Sequence, residues 1–581
     1  MTVYTQSEDL VSDFISRGLV LLHPDTLKVD RRIHDRIYEK EKTLFRAKEY
    51  ITAENLPEIL EVLRAPGLVQ ACDKLLGEEW AIVPFTHNTP FVSGAYDQHW
   101  HKDDNGPYNG RKPRYHQPVQ LELLYYPQAV TEEMGPTATL PYSQYWTFDH
   151  EENHDNFAGA DHLDFGYQIE GWETVAVSGK RSNYAEADIK NRHTAHDDRL
   201  RRAVDNLAWP LVQPYEAAPI EAGSILLYSH NLFHRGNHRR DGWQSWRDRP
   251  RFMWRFWLYR TTNPKTISVP ERQAWQDQQV SPDVAVVWES VHAWIYGVAP
   301  KHEYGLLEEY KIALYAKGEA AEPNRIGAAY ALAKHADVDA LSLLAEALSN
   351  DRESVRRAAT YGLVSAGERS SQVFFDAAKS ASKWVRKAAV FGLGTSGQIT
   401  ADVLSCLRDR LLFDGSTYVR SVAADALGAF VRRATAPELV EQAVSALIEC
   451  LGQEENRESM DRVQRRSIKF VRPTDDCDVC EGIGISLGHE RYEPVRSIVR
   501  ENALGSLVIA VTAEGKLSAS TVGRLADCLV DVAANDANLF SAGLAMDALC
   551  RLLGPQDPRV RAVVTDQPTL CLPSLLRAGL L

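Results

Sequence analysis

The sequence predicts a chain of two structural classes, a β-rich first half with flanking helices and an all-α second half of stacked helix pairs. The first half, up to about residue 265, is rich in Trp, Tyr, His and Pro. It has short apolar runs between turn residues, such as residues 223–228. The second half, from about residue 323, is rich in Ala, Leu, Val and Arg and contains a repeated unit. A chain of 581 residues is too long for one hydrophobic core, so several domains are expected.

The first half opens with an amphipathic helix over residues 7–17, which begins at a capping serine and ends at Gly18. The apolar residues 19–22 follow directly and predict the first strand. The order helix, glycine, strand fixes where the β-rich part of the chain begins.

The repeated unit contains a Val-Arg pair followed by small residues. Its copies are residues 354–363, 384–393 and 418–428, with a weaker copy at 499–505 and a degenerate one at 324–332. The valines at 355, 385 and 419 are 30 and 34 residues apart. Repetition at this period indicates stacked helix pairs, and the gap after residue 428 indicates an insertion.

These copies resemble HEAT-like repeats of a short kind, and the resemblance covers residues 323–581. It implies an all-α solenoid, whose period is shorter than the usual HEAT period of about 40–47 residues. Residues 266–322 are expected to form a helical bridge, with Pro282 in the first turn of a helix. The arginines that recur at one repeat position are expected to be structural: Arg356, Arg386 and Arg420.

Composition excludes several classes of partner. The formal net charge of -14 argues against nucleic acid and against an anionic membrane surface, because both are bound by basic residues. The first ten residues lack a cationic and apolar leader, and no run of 18 apolar residues is present. Eight scattered cysteines are typical of a reduced protein, so a cytoplasmic location is expected.

The segment at residues 96–104 carries the first candidate metal ligands. His101 and Asp103 are two residues apart, and on a strand such residues project to one face. An imidazole and a carboxylate on one face, joined by a second histidine, form the facial set that binds iron(II) and leaves positions open. A His-x-Asp pair alone is weak evidence for a metal site. Taken by itself, the pair would be expected in a solvated loop.

A second segment strengthens this interpretation. Residues 221–234 read as a turn, an apolar strand and a closing histidine, His234. Residues 249–259 then form another apolar run, which opens with Arg251.

The order His-x-Asp, distal His, Arg resembles the phytanoyl-CoA dioxygenase family of iron and 2-oxoglutarate oxygenases. Further stretches carry the resemblance over residues 10–260: residues 18–22, 119–126 and 133–143. It implies a double-stranded β-helix, the jelly-roll or cupin-like fold, in the oxygenase domain at residues 1–265. The gap of 17 residues from His234 to Arg251 is longer than is usual in the family, and Pro141-Tyr-Ser-Gln144 replaces the family's Pro-Gly-Ser-His turn.

The resemblance assigns His101, Asp103 and His234 to Fe(II), with 2-oxoglutarate and O2 as co-substrates. It assigns Arg251 to the distal carboxylate of 2-oxoglutarate, because a guanidinium fork pairs bidentately with a carboxylate. Arg255 is the alternative anchor, since it shares the strand face, and Gln120 is a second expected contact.

The implied reaction is hydroxylation, or another oxidation, of an unactivated C–H bond in a small-molecule substrate, with succinate and CO2 as co-products. Asp103 favours hydroxylation over halogenation, because halogenating relatives carry a small residue there. Desaturation, epoxidation and rearrangement stay open. Three other functions also stay open: a binding scaffold, oxidation of a protein substrate that the solenoid recruits, and self-association through the solenoid.

Other residues in the sequence are alternative ligands. His99 and His230 share a face with the expected ligands and are less favoured for iron. Cys477 and Cys480, with His489 nearby, lack a full zinc set and are expected to be two thiols in the insertion. Residues 146–172, rich in His and aromatic residues, are expected to form a lid or pocket wall.

Overall fold

The computed structural model describes most of the chain. The described residues are 4–6, 8, 10–47, 56–83, 87–91, 100, 102, 114–147, 198, 213–237, 239–240, 248–265, 280–298, 306–335, 337–460, 498–512, 517–536 and 539–566. His99, His101, Asp103, Cys477, Cys480, His489 and residues 148–172 lie outside them.

The first half contains five helices and nine strands within the described residues. The helices are α1 Leu10–Arg17, α2 Pro24–Leu27, α3 Arg32–Arg46, α4 Ile59–Leu63 and α5 Pro66–Leu76. The strands are β1 Leu19–Leu22, β2 Ala81–Ile82, β3 His87–Phe91, β4 Gln120–Tyr125, β5 Thr137–Thr139, β6 Tyr215–Glu216, β7 Ile225–Ser229, β8 His234–Gly236 and β9 Arg251–Tyr259. The predicted opening helix, the glycine stop and the first strand are all present.

The strands form two antiparallel sheets. The larger sheet has the order β1-β7-β4-β9-β2, with β3 also paired to β9, and the smaller has the order β6-β5-β8. In the larger sheet Glu122 lies opposite Tyr228 of β7 and Trp257 of β9. In the smaller sheet Thr139 lies opposite His234. The first half is therefore sheet-containing, as expected, while its closure into a double-stranded β-helix stays a prediction.

The larger sheet has one helix-covered face and one inner face. Leu121, Leu123 and Tyr125 of β4 pack with alternate residues of β9 against α1, α3, α4 and α5. Because strand side chains alternate, Glu122 and Tyr126 project to the opposite face. That inner face carries the polar residues of the candidate site.

The second half is helical throughout its described length. The predicted bridge contains α6 Pro282–Ile295 and α7 Leu307–Leu314. The helices that follow are α8 Glu322–His335, α9 Val338–Leu348, α10 Glu353–Ser365, α11 Ser371–Ala377, α12 Lys383–Ser396, α13 Ala401–Phe413, α14 Thr417–Arg433, α15 Pro437–Met460, α16 Ile498–Thr512, α17 Ala519–Asn535, α18 Leu539–Leu553 and α19 Pro558–Asp566.

These helices alternate between two rows. We call α8, α10, α12, α14, α16 and α18 the inner row, since each packs on the next member and is almost wholly buried. Val355, Val385 and Val419 lie in α10, α12 and α14, so the repeated unit is the inner helix of each pair. Small residues permit close packing there: a Cβ at Gly394 would lie 2.5 Å from the Cα of Ala426 on the next inner helix.

The recurring arginines have a common structural role. Arg356, Arg386 and Arg420 each donate to the carbonyl oxygen six residues earlier, on Asn350, Ser380 and Asp414, at 2.9, 3.0 and 3.0 Å. Each arginine thereby ties the loop that precedes an inner helix to that helix. No helix in the described part of the chain is long and apolar enough to cross a bilayer.

The two halves share one hydrophobic core. Trp100, Tyr115, Tyr145 and Trp257 of the first half belong to the same buried cluster as the inner row of the solenoid. The solenoid therefore packs on the first half instead of projecting from it.

Candidate active site

His234 begins β8 and is only 1% exposed. Its Nδ1 lies 3.2 Å from the carbonyl oxygen of Leu232, and its ring centroid lies 5.1 Å from that of Tyr228. In a neutral imidazole whose Nδ1–H donates to a carbonyl, Nε2 carries the lone pair that binds a metal. The environment of His234 therefore suits the tautomer that a metal ligand needs.

The residues that flank His101 in sequence contact the residues that flank His234. The guanidinium of Arg235 lies 4.6 Å from the ring centroid of Trp100, and the ammonium of Lys102 lies 4.6 Å from that of Phe233. Lys102 also donates to the Asn231 side chain at 3.2 Å. His101 and Asp103 themselves lie outside the described residues. Among the residues that are described, no three His, Cys, Asp or Glu side chains form a metal cluster.

Arg251 begins β9 on the inner face of the larger sheet and is 0% exposed. Burial lowers its pKa to about 10, because a charged group is poorly stabilised away from water. Arg255 lies four residues further along the same face, opposite Leu124, and is only partly buried. Of the two arginines considered for the co-substrate carboxylate, Arg251 is the more enclosed.

A hydroxyl pair joins the two sheets beside these residues. The Tyr126 hydroxyl donates to the Thr137 hydroxyl at 2.8 Å. Tyr126 lies close enough to Arg251 for the arginine charge to oppose the burial that raises the Tyr126 pKa. Thr137 lies opposite Gly236, two residues from His234. The Tyr126–Thr137 contact therefore connects the surroundings of Arg251 with those of His234.

Glu122 is a site residue that the sequence interpretation missed. Its carboxylate is 0% exposed, accepts from the Tyr228 hydroxyl at 2.7 Å and lies 2.9 Å from Nδ1 of His230. His230, considered as a rival metal ligand, is thus paired with a carboxylate. The available signal was an acidic residue inside the apolar run at residues 119–126, because charged groups are rarely buried without partners.

Gln120 lies at the other end of the site from Arg251. It pairs with Tyr259, which is eight residues along β9 from Arg251. At about 3.4 Å per residue this separation is roughly 27 Å, far longer than 2-oxoglutarate. A co-substrate anchored by Arg251 therefore cannot also contact Gln120, and the two expected contacts are not brought together.

The solenoid braces this site through Arg114. Arg114 donates to the carbonyl oxygens of His230 at 2.9 Å and Lys102 at 3.3 Å. Its own carbonyl accepts from the Tyr361 hydroxyl of α10 at 3.2 Å. Arg114 thereby ties the segment around Lys102 to the turn between β7 and β8, and α10 supports that tie.

His116 lies beside this brace and contacts two inner-row helices. Its ring stacks on Tyr361 with centroids 3.5 Å apart, and its Nδ1 lies 2.9 Å from the Tyr330 hydroxyl of α8. Burial, followed by the charge of Lys102, holds the pKa of His116 well below its usual range. The neighbouring Tyr115 donates to Asp425 of α14 at 2.5 Å. The first half of the chain therefore contacts the inner-row helices α8, α10 and α14.

Comparisons with known proteins bear on the second half. A family model described as HEAT repeats matches residues 371–459, which span α11 to α15, so the expectation of HEAT-like repeats is confirmed over that segment. No curated protein matches the chain.

Two solved structures resemble the chain weakly. One is AviO1 from Streptomyces viridochromogenes Tue57, at 11% identity and a TM-score of 0.26, covering 46% of this chain and 100% of that chain. The other is SnoK, a non-heme alpha ketoglutarate dependent carbocyclase from nogalamycin biosynthesis, at 11% identity and a TM-score of 0.28. The match covers 45% of this chain and 88% of that chain. At such scores neither resemblance carries an argument about this chain.

Proposed function

We propose that this chain is an Fe(II)- and 2-oxoglutarate-dependent oxygenase that hydroxylates a C–H bond of a small-molecule substrate, similar to the phytanoyl-CoA dioxygenase family. The observation that supports this most directly is the position of two buried groups, His234 and Arg251. His234 and Arg251 begin successive main strands, and the Tyr126–Thr137 contact connects their surroundings. We also propose that the two sheets belong to one double-stranded β-helix.

The proposed metal ligands are His101, Asp103 and His234. Trp100 and Lys102 contact Arg235 and Phe233, the two residues that flank His234. His101 lies between Trp100 and Lys102 in the sequence, so we propose it as the ligand that joins the distal histidine at the iron. With O2 as the oxidant, iron(II) held in this way would couple the oxidative decarboxylation of 2-oxoglutarate, to succinate and CO2, with oxidation of the substrate.

Arg251 is the proposed anchor of the distal carboxylate of 2-oxoglutarate. A guanidinium that is 0% exposed is stabilised by a carboxylate, which restores the interaction lost with water. The fork of N–H groups also fixes the direction in which the co-substrate enters. Tyr126 lies beside Arg251 and holds the adjacent wall in place through Thr137.

Glu122 is the proposed support for the wall behind His234. It accepts from Tyr228, whose ring packs against the His234 ring, and it binds His230. A carboxylate with both partners in place keeps the Tyr228 ring in one orientation. The Tyr228 ring then limits how far the His234 imidazole can rotate, which favours a preorganised ligand.

The solenoid is proposed to act as an internal support of this site. Three of its inner-row helices, α14, α8 and α10, contact the first half through Tyr115, His116 and Arg114. A partner protein would therefore have to bind elsewhere on the solenoid.

The carboxylate at 103 favours hydroxylation over halogenation, since it fills the position that chloride would need.

Succinate formation tests this proposal. Purified protein is mixed anaerobically with Fe(II), exposed to air with 2-oxoglutarate, and assayed for succinate without added substrate. Wild type should turn over 2-oxoglutarate slowly, while H101A, D103A and H234A should not. H335A, at the end of α8, is the control and should match wild type. Equal turnover in wild type and the three ligand variants would contradict the assignment.

A further inference from the structure

Residues 114–116 of the first half are held by four successive helices of the inner row. The Arg114 carbonyl oxygen accepts from the Tyr361 hydroxyl of α10 at 3.2 Å. The ring centroid of Tyr115 lies 4.9 Å from that of Phe391 in α12. The same short segment also contacts α14 and α8, through the two residues that follow Arg114. The main chain at Arg114 is therefore fixed by the solenoid.

The side chain of Arg114 contacts the first half of the chain. It is 1% exposed, and its two terminal nitrogens donate to the carbonyl oxygens of His230 at 2.9 Å and Lys102 at 3.3 Å. The N–H groups of a guanidinium lie in one plane and point in fixed directions. A guanidinium that binds two carbonyl oxygens at once therefore fixes the distance between them. Arg114 thereby sets the spacing of two backbone segments.

These two segments carry the proposed iron ligands. Lys102 lies between the first two ligands in the sequence. His230 directly follows β7 and stands four residues before His234, which begins β8. Distances from a metal to its ligands vary by only about 0.2 Å at a well-formed site, so a change in the spacing of the segments changes metal affinity. Arg114 is therefore placed to control that affinity.

Other contacts of these segments differ in kind. Lys102 donates to the Asn231 side chain at 3.2 Å, and Nδ1 of His230 lies 2.9 Å from Glu122. Both contacts join side chains, which rotate about their own bonds. Arg114 binds main-chain oxygens, and the main chain determines where the Cα of each neighbouring ligand lies. The spacing of the ligands therefore depends on Arg114 more directly than on these two contacts.

We propose that Arg114 is a positioning residue for the iron ligands and that the solenoid sets metal affinity through it. The inference rests on the proposed function, because it takes the proposed ligands as given. Support alone would change the stability of the fold and leave metal affinity as it is. Positioning changes metal affinity by an amount that does not follow stability. By linkage, bound metal in turn stabilises the contact between Arg114 and Tyr361.

Titration of Mn(II) into the iron-free, full-length protein tests this role without turnover. Mn(II) binds somewhat more weakly than iron(II) at the same nitrogen and oxygen ligands, and calorimetry gives its Kd. Loss of binding in H234A assigns the titration to the proposed site. R114M should bind Mn(II) about tenfold more weakly than wild type, as is usual when a residue that orients metal ligands is removed. Y361F keeps the guanidinium and should show a smaller loss.

Three control variants separate positioning from stability. Y330F removes a hydroxyl from the same interface, where Tyr330 contacts His116 instead of Arg114. R386M removes an arginine whose hydrogen bonds all lie within the solenoid. Both should be less stable than wild type in urea and keep its Kd for Mn(II). R408M, on the outer helix α13 where Arg408 pairs with Glu449, is the surface control and should match wild type in both measurements.

Wild-type affinity in R114M and Y361F would overturn the role of Arg114 and leave the proposed iron site intact. An equal loss of affinity in Y330F and R386M would also overturn it, since affinity would then follow stability. If R114M does not fold, the comparison of Y361F with Y330F decides. No Mn(II) binding by wild type, or full binding by H234A, would overturn both this role and the proposed iron site.

Discussion

Glu122 and His230 meet inside the larger sheet, where Oε1 of Glu122 lies 2.9 Å from Nδ1 of His230. Both side chains are almost fully buried, and the same carboxylate accepts from the Tyr228 hydroxyl. Tyr228 in turn packs on His234. A chain of contacts thus runs from a buried carboxylate to the proposed metal ligand, and it gives the first prediction.

Replacing Glu122 with Gln should lower the free energy of unfolding by about 2 kcal/mol, because hydrogen bonds to a buried charge are among the stronger ones. Urea denaturation measures the effect. E39Q, on the exposed side of α3, is the control and should match wild type. If E122Q proves as stable as E39Q, the buried carboxylate does not hold this wall together.

Tyr126→Phe removes the hydroxyl that joins the two sheets at Thr137. We expect the free energy of unfolding to fall by about 1 kcal/mol, the usual value of one buried hydrogen bond. We also expect weaker binding of 2-oxoglutarate, because Tyr126 lies beside Arg251. Y215F is the matched control, since the Tyr215 hydroxyl is also buried but has no hydrogen-bond partner among the described residues. An unchanged Y126F, in both stability and binding, would refute this role of the contact.

Acid should destabilise the protein through His116. Burial holds the folded-state pKa of His116 well below its usual value of about 6.5, so on acidification the unfolded chain gains a proton that the folded chain does not. The free energy of unfolding should therefore be highest above about pH 6.5 and fall as the pH decreases below it. Buried His292, whose pKa is lowered to about 4, acts in the same direction.

Two variants isolate the contribution of His116. H116F lacks the titrating ring nitrogen and should lose less stability than wild type between about pH 7.5 and pH 5.5. Y330F removes the hydroxyl partner but keeps the imidazole, so it should be less stable at both pH values and keep the wild-type slope. Urea denaturation at the two pH values gives both quantities. A wild-type slope in H116F would exclude His116 as the cause.

Arg386 should contribute measurably to the stability of the solenoid. It donates to both carboxylate oxygens of buried Asp414, at 2.7 and 2.9 Å, as well as to the carbonyl of Ser380. R386M leaves that carboxylate with fewer partners and should lower the free energy of unfolding by about 2 kcal/mol. Thermal or urea unfolding measures it, with R408M as the surface control. Equal stability of the two variants would show that the arginine is dispensable.

Periodic patterns in the sequence predicted the architecture of the second half well. The Val-Arg unit marks the inner helices, and Val355, Val385 and Val419 lie where the spacing placed them. The strand that begins with Arg251 was also predicted, because apolar runs bounded by turn residues are strong local signals. His234 was expected to close the apolar strand before it, but that strand ends at Ser229 and His234 begins the separate strand β8.

Contacts between distant residues could not be predicted in the same way. Glu122 was missed because strand alternation gives the face of a residue but not what covers that face. Tyr115 and Asp425 are 310 residues apart in sequence, and no local pattern connects them. For the same reason the sequence left the role of the solenoid open, while Arg114, His116 and Tyr361 locate it against the site.

Binding of 2-oxoglutarate tests the central claim most directly. Calorimetric titration into wild-type protein, with and without anaerobically bound Fe(II), is compared with titration into R251Q and R255Q. We predict tight binding to the iron-loaded wild type, weak binding without iron, and at least a tenfold loss in R251Q, because a buried bidentate pair is removed. R255Q should bind nearly as well as wild type. No binding to the iron-loaded wild type, or wild-type affinity in R251Q, would contradict the proposed site.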